Sequence, residues 1–555
     1  MTPIIECVPN FSEGSNPQII QSITQEIEKV DGVRLLNVDP GKATNRTVVT
    51  FVGHPAAVVE AAFLAIRKAG ELIDMRQHRG EHPRMGATDV CPLIPVSGIS
   101  MEETASWAQQ LAERVGKELL IPVYLYEAAQ RDKARSNLSV IRAGEYEGLS
   151  EKMKRPEWKP DFGPAVFDEK RGATVIGARD FLVAYNINLN TTSVRRANSV
   201  AFDVREAGRI KREGDPVNGP IVRDAQGQPV TVPGSLKSVK AIGWYIKEYG
   251  IAQISMNLTN LAITPLHKAF DEVCQKADMR GIRVTGSELV GLIPLQCLLD
   301  AGKYFLNKQQ RSAGVSEKEL IRIAILTMGL DELGPFKPEE RIIEYMLKDP
   351  ADERLIRQSL SDFADETASE SAAPGGGSVS AYLGALGAGL GAMVANLSAQ
   401  KKDWAQFGEW AEKATAYQKE LLSLVDADSR AFEGILEARG LPKTTDEEKQ
   451  VRNEAMQRAT RRAIEIPYRV MQIAFKSMDV IEAMAREGNP NSKSDAGVGA
   501  ICARSAVLGA WLNVRINAMG SENDRHLAEV LAEGEKIRSL ALEKEKKILD
   551  LVGLN

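Results

Sequence analysis

Two of the five histidines in this 555-residue chain, His78 and His82, stand four positions apart in "RQHRGEHPRMGATD", residues 76–89. Arg76, Arg79 and Arg84 surround them, with Gly80, Gly86 and Pro83. Imidazole is the side chain whose proton moves near neutral pH, with a reference pKa of about 6.5. Arginine forks suit carboxylates. Together they are fit to bind an acidic substrate and shuttle a proton for it. A zinc pair and a solvated basic loop are the competing readings. The spacing of the histidines matches half of an H-E-x-x-H helix, but Gly80 and Pro83 disfavour a helix, and no cysteine or further histidine lies close in sequence. Asp89, seven residues beyond His82, carries the charge to orient an imidazole, which spacing alone does not establish.

Such a loop needs rigid elements behind it. "IIECVPNF", "VRLLNVD", "RTVVTFVG", "DVCPLIPV" and "IPVYLYE" read as strands, being β-branched or aromatic runs bounded by turn residues. Amphipathic helices are predicted in "NPQIIQSITQEIEKV", "HPAAVVEAAFLAIRKAGELI" and "SMEETASWAQQLAERVGKELL", the last with Ser100 and Glu103 at capping-box spacing. A β-α-β-β-α-β order predicts a mixed sheet with helices on one face. The pattern recurs from "GATVIGARDFLVAYNINLNT" (172–191) to "IRVTGSELVGLIP", so two similar α/β subdomains, α+β sandwiches with mixed sheets, are expected at 1–180 and 181–328. Alternation places Asn186, Asn188 and Asn190 on one strand face, which is either a polar ligand surface or a wet outer face. Pro335, Pro338 and a neighbouring glycine place a linker at 329–338. Strand signals then vanish, and 339–555 is expected to be an all-α helical bundle.

The totals narrow the function. With 70 basic and 75 acidic residues, nothing global points to nucleic acid. Cys7, Cys91, Cys274, Cys297 and Cys502 lie far apart in sequence without a C-x-x-C, which argues against a zinc module or disulfide framework and suits a reducing compartment. The start, "MTPIIECVPNFSEG", lacks the marks of a signal peptide. Residues 378–400 are uncharged and long enough to span a bilayer, with Gly387 and Gly391 at G-x-x-x-G spacing. Polar ends, abundant glycine and the lack of a second such segment favour a helix buried in a bundle. A cytoplasmic chain with no membrane or nucleic-acid partner is expected.

Five ordered motifs, "VPNFSEG" (8–14), "NRTVVTFVGHP" (45–55), "GEHPRMGATDVCPLIPV" (80–96), "IRAGEYEGL" (141–149) and "PDFGP" (160–164), together resemble the glutamate formimidoyltransferases. "SAAPGGGSVSA" (371–381) and "LVDADSRAF" (424–432) resemble formimidoyltetrahydrofolate cyclodeaminase. Their order, over essentially the whole chain, is similar to that of the bifunctional formimidoyltransferase-cyclodeaminases of histidine catabolism. The resemblance implies transfer of the formimidoyl group from N-formimidoyl-L-glutamate to tetrahydrofolate, releasing glutamate. Closure to 5,10-methenyltetrahydrofolate then releases ammonia. It implies polyglutamylated tetrahydrofolate as co-substrate, no metal, and assembly as a homo-octamer with direct passage of the intermediate.

The first reaction exchanges one nitrogen for another on an amidine-like carbon, so one base-acid near neutral pKa serves both proton transfers. By resemblance this is His82 rather than His78. Both substrates carry carboxylates, which gives Arg46 and Arg84 clamping roles, with salt bridges as the alternative. The family's folate-binding stretch maps onto Gly163, Pro164, Ala165, Val166, Phe167, Asp168, Glu169, Lys170, Arg171 and Gly172. It is expected at the junction of the subdomains, with Lys170 and Arg171 toward the glutamyl tail. Ring closure needs a carboxyl to protonate the departing nitrogen. Asp426 and Asp428 are about 200° apart on a helix. Leu422, Val425 and Ser429 place Asp426 inward as the catalytic acid, or as a helix-pairing hydrogen bonder, and leave Asp428 solvated. Gly375, Gly376, Gly377 and Ser378 lack the G-K-[ST] of a phosphate loop, but amides at a helix start suit a carboxylate or pterin carbonyl. Asp495 and Asn513 are further candidates for pterin contact or for positioning. A monofunctional transferase whose helical half serves assembly, and a non-catalytic scaffold that binds folate or glutamate-rich partners, stay open here.

Overall fold

The structure, a computed structural model, describes residues 3–41, 45–79, 84–215, 218–348, 353–371, 373–519 and 525–553. They form two compact units, Met1–Cys297 with Gly329–Leu347, and Leu298–Met328 with Lys348–Asn555.

The first unit opens with β1 (Ile4–Cys7), β2 (Asn10–Phe11), α1 (Pro17–Glu28), β3 (Val33–Gly41), β4 (Arg46–Gly53), α2 (Pro55–Leu72) and β5 (Thr88–Ser97). β1 lies between β5 and β4, and β3 flanks β4, all antiparallel. β2 pairs with the same two neighbours as β1. α3 (Met101–Arg114), β6 (Val123–Glu127), α4 (Leu138–Arg142), α5 (Glu145–Met153) and β7 (Thr174–Ala178) extend it. β7 sits between β5 and β6, parallel to both, and makes this sheet mixed. The local signals explain the helix starts. Asn16 accepts the N–H groups of Gln18 and Ile19 ahead of Pro17, and the Ser100–Glu103 capping box is closed. Ile5, Cys7, Phe11 and Phe51 pack beneath α1–α3, each large side chain contributing about 1.5–3 kcal/mol. Helices were expected on one face only. In the structure Ile141 of α4 and Leu149 and Met153 of α5 pack on Val90, Tyr124 and Val175 across the other face.

The stretch 172–191 holds two strands rather than one. β7 completes the first sheet, and β8 (Val183–Leu189) begins the second. After α6 (Val194–Val204) and a small pair, β9 (Arg209–Ile210) with β10 (Thr231–Val232), come β11 (Val239–Ile246), β12 (Ile251–Leu258), α7 (Leu266–Asp278) and β13 (Val284–Val290). The sheet order is β11-β12-β8-β13 with every ladder antiparallel. Counted within each core, both sheets read four-one-three-two, so the likeness of the subdomains is topological. Mixed pairing is confined to the first sheet, the one with added parallel strands.

The amide row is closed at two of its three positions: Asn190 is exposed, while Asn186 and Asn188 are buried. Asn188 and Gln253 are wholly buried and bonded to each other at 2.9 Å. Asn186 donates to Glu288 at 3.1 Å, and Asn188 donates to Glu332. These bonds tie down the segment expected as a linker: Ser287 N–H donates to Gly329 O at 3.0 Å. α8 (Leu295–Lys308) and α9 (Glu317–Met328) precede that segment, and residues 298–328 group with the helical unit. α10 (Pro338–Arg341) and α11 (Ile343–Leu347) group with the first. A break in hydrophobic pattern thus marks a return to the sheet, not a tether.

The second unit continues through α12 (Leu360–Thr367), α13 (Gly376–Ala399), α14 (Trp404–Gly440), α15 (Asp446–Glu487), α16 (Lys493–Ala518) and α17 (Arg525–Val552). α13 packs against α14, α15 and α16. Its glycines permit this: a Cβ on Gly387 would lie 2.8 Å from Gly499 O and 3.0 Å from Ala503 N. Where one long apolar segment was expected there are two. Gly376–Ala399 and Pro490–Ala518 are both long and apolar enough to cross a membrane by length and composition. Scattered charges, Asp495, Arg504 and Arg515, masked the second.

Candidate active sites

His82 lies outside the described residues, and its flanks define the first site. His78 is buried. Its Nδ1 accepts from Arg84 Nε at 3.2 Å, which leaves Nε2 to donate to Asn45 O at 2.9 Å. Both ring nitrogens are therefore engaged in holding the loop. Arg84, 7% exposed, donates to Glu145 at 3.1 Å and to both oxygens of Glu147 at 2.8 and 2.6 Å. The expected substrate clamp is occupied by protein carboxylates, because α5 brings two glutamates against the fork. Arg46 is half-buried on β4. Burial pushes its pKa down, while Asp89 and Asp39 act in the opposite direction. Asp89 is wholly buried and accepts from Met85 N–H at 3.0 Å and from the Arg142 guanidinium, fixing the turn into β5. Arg79 and Arg84, at either side of residues 80–83, line a cavity of about 400 Å³ with Gly144, Glu145 and Glu147.

The 163–172 loop runs beside this turn. Gly172, at φ +70°, would place a Cβ 2.2 Å from Met85 O, and Gly163, at φ +82°, 2.3 Å from Ile121 O, so only glycine fits either position. Asp168 gathers the loop by accepting Lys170 N–H, Arg171 N–H and Arg171 Nε. Arg171 also reaches Leu119 O at 2.7 Å, and Lys170 Nζ reaches Glu71 O at 2.8 Å. Those two cations serve the loop's own shape. Phe167 meets the Tyr146 ring at 5.4 Å, and Val166 is 71% exposed. The loop lies within the first subdomain, between α5 and β7 and against Met85–Gly86, rather than at the junction of the two.

In the helical unit Asp426 faces inward as expected, and the fold gives both aspartates partners that helical phase alone does not supply. Asp426 faces inward and is buried, but its oxygens accept the N–H groups of Leu355 at 2.7 Å and Ile356 at 3.2 Å. It anchors the chain ahead of α12. Asp428 is half-buried rather than fully solvated: it lies against the glycine-rich start of α13, where a Cβ on Gly377 would stand 2.2 Å from its Oδ1. Burial raises its pKa, opposed by hydrogen bonds from the Ser378 hydroxyl and N–H. The Ser378 hydroxyl is 3.2 Å from Asp428, 2.9 Å from Val425 O and 3.0 Å from Ser429 Oγ. Asn513 of α16 is close enough that a Cβ on Gly376 would lie 3.4 Å from its Nδ2. Gly376, Gly377, Ser378, Asp428 and Asn513 thus converge, with Gly375 as the helix cap. Asp495 does not join them. It sits in the first turn of α16, about 27 Å along that helix from Asn513.

One charged residue was not foreseen. Glu6 of β1 is 5% exposed, and burial raises its pKa to about 7, moderated by Arg179. The signal was a lone charge inside an apolar strand. Cys7 and Cys91, distant in sequence, bring their sulfurs to 3.5 Å on adjacent strands.

Three family profiles match: formiminotransferase domain, N-terminal subdomain, over residues 4–179; formiminotransferase domain over 184–348; and formiminotransferase-cyclodeaminase over 359–536. A formimidoyltransferase-cyclodeaminase of Gallus gallus is 44% identical over 534 residues, 95% of this chain and 95% of that protein. A glutamate formimidoyltransferase of Thermoplasma acidophilum is 44% identical over 306 residues, 55% of this chain and 92% of its own. A methenyltetrahydrofolate cyclohydrolase of Methylorubrum extorquens is 34% identical over 199 residues, 35% of this chain and 96% of its own. Two catalytic halves joined in one order, matched nearly end to end, settle the assignment. The chain belongs to the formimidoyltransferase-cyclodeaminase family.

Proposed function

We propose that this bifunctional transferase and lyase works at two separate sites, one in each unit, with His82 serving the first and Asp428 the second. At the first, N5 of tetrahydrofolate attacks the formimidoyl carbon of N-formimidoyl-L-glutamate. His82 takes the proton of the attacking amine and returns it to the departing glutamate nitrogen. The engagement of both His78 nitrogens supports giving this role to its neighbour. Arg46, half-buried on β4 with Asp89 and Asp39 acting on it, stays a candidate for a substrate carboxylate, whereas Arg84 holds Glu145 and Glu147. The 163–172 backbone, held open by Gly163 and Gly172, supplies a flat approach for folate.

At the second site N10 closes on the same carbon and gives up its proton, the bond from that carbon to the departing nitrogen breaks, and that nitrogen takes up the N10 proton and one more to leave as ammonia. The juxtaposition of Asp428 with Gly377 and Ser378 carries this reading. Burial favours a protonated carboxyl, and the α13 amides stabilise the carboxylate left after proton donation. Asp428 therefore replaces Asp426, whose oxygens are already satisfied. The reading extends to histidine breakdown in the cytoplasm, to a polyglutamylated co-substrate passed between sites, and to a homo-octamer. Exposed Ile501, Leu512 and Ile516 along α16, with Met519 capping it, support self-association.

One assay tests the whole. The chain is incubated with formimidoylglutamate and tetrahydrofolate while methenyltetrahydrofolate absorbance and ammonia are followed. Both should appear together. Formimidoyl-folate without ammonia would leave only the transferase, and no turnover would leave a binding scaffold.

A further inference from the structure

The first unit contains a cleft of about 520 Å³, within the range of small-molecule sites. Its walls are mixed: apolar side chains such as Phe181 and Val290 alternate with polar ones, and the charged groups Glu6, Arg179, Glu340 and Arg341 line it. Strand alternation sends Ile5 and Cys7 beneath the helices and Glu6 to the opposite face. Its cross-strand partners are Val52 and Ile94, both buried. The carboxyl therefore stands between two aliphatic side chains at the centre of the sheet. Among the described residues no donor hydrogen-bonds to it, and Arg179 is the charge that acts on it.

A buried carboxyl without a donor costs free energy unless a ligand completes it. Two acceptor oxygens side by side match two N–H groups on one planar carbon. We propose that Glu6 receives a planar N–C–N donor pair from a substrate in this cleft. The 2-amino and N3 edge of a pterin presents that pair, and so does a formimidoyl amidine. The assignment rests on the formimidoyltransferase reading and adds a residue that determines which substrate group is accepted.

The test is Glu6→Gln, which keeps the shape but replaces one acceptor by a donor. Transfer kinetics are measured with tetrahydrofolate and formimidoylglutamate varied in turn. The KM of one substrate should rise about ten- to a hundredfold with the other unchanged. A selective rise for tetrahydrofolate identifies the pterin edge as the occupant, and one for formimidoylglutamate identifies the amidine. Cyclisation of supplied formimidoyl-folate by the same variant should stay at the wild-type rate. Unchanged KM values, or an equal rise in both, overturn the proposal while leaving the transferase reading intact. A wild-type chain that transfers nothing removes that reading, and the proposal with it. Should Glu6→Gln not fold, Glu6→Asp, with its carboxylate one methylene further back, is read by the same criterion.

Discussion

Glu6→Gln should stabilise the first unit at alkaline pH while it weakens substrate use. Burial raises the Glu6 carboxyl from 4.5 to about 7. Below pH 4.5 the group is neutral both folded and unfolded, and its ionisation costs nothing. Between 4.5 and 7 the unfolded chain releases the proton first, so stability falls as pH rises. Above 7 the folded state carries the full burden of the ionised carboxyl, about 3.5 kcal/mol for a rise of about 2.5 pH units at about 1.4 kcal/mol each. Glutamine removes that burden, leaving Arg179 its bond to Asp180 O. Calorimetry at pH 8 should show the transition of this unit raised by up to roughly 5 °C, with most of the gain gone at pH 5. An equal gain at both pH values, or a loss at pH 8, would refute the reasoning.

Asp428→Asn should lower ring closure at least about a hundredfold with transfer intact, and the wild-type closure rate should fall as pH rises through the raised Asp428 pKa. Asp426→Asn should instead cost about 1–3 kcal/mol of stability in the helical unit, read as an earlier thermal transition, because it loosens the hold on Leu355 and Ile356. Gly377→Ala should abolish ring closure alone: its Cβ would collide with Asp428 at 2.2 Å, although alanine otherwise favours a helix by about 1 kcal/mol. His82→Ala should remove transfer, measured as glutamate release, while supplied formimidoyl-folate still cyclises; joint loss of both activities would contradict two independent sites.

What the amino-acid sequence made legible was local. β-branched and aromatic runs between turn residues identified the strands in the first subdomain, and Ser100 with Glu103 announced the start of α3, because those signals act within a few residues. The two cores were recognisable by element order, but the stretch 172–191 was read as the start of the second, whereas β7 joins the first sheet through contacts with β5 and β6. Asp426 and Asp428 show where local reasoning ends. Helical phase separates them by about 200° and rightly turns Asp426 inward, but it treats the other side as solvent. In the fold α13 begins on that side, so the glycines that lack a Cβ and the aspartate that needs their space define one site from positions about fifty residues apart. Inward burial then argues against catalysis at Asp426, whose two oxygens are taken by backbone N–H groups. Arg84 teaches the same lesson: its type promised a carboxylate, and α5 supplies one. A residue type predicts the interaction sought, and only the tertiary fold decides whether the chain has already satisfied it.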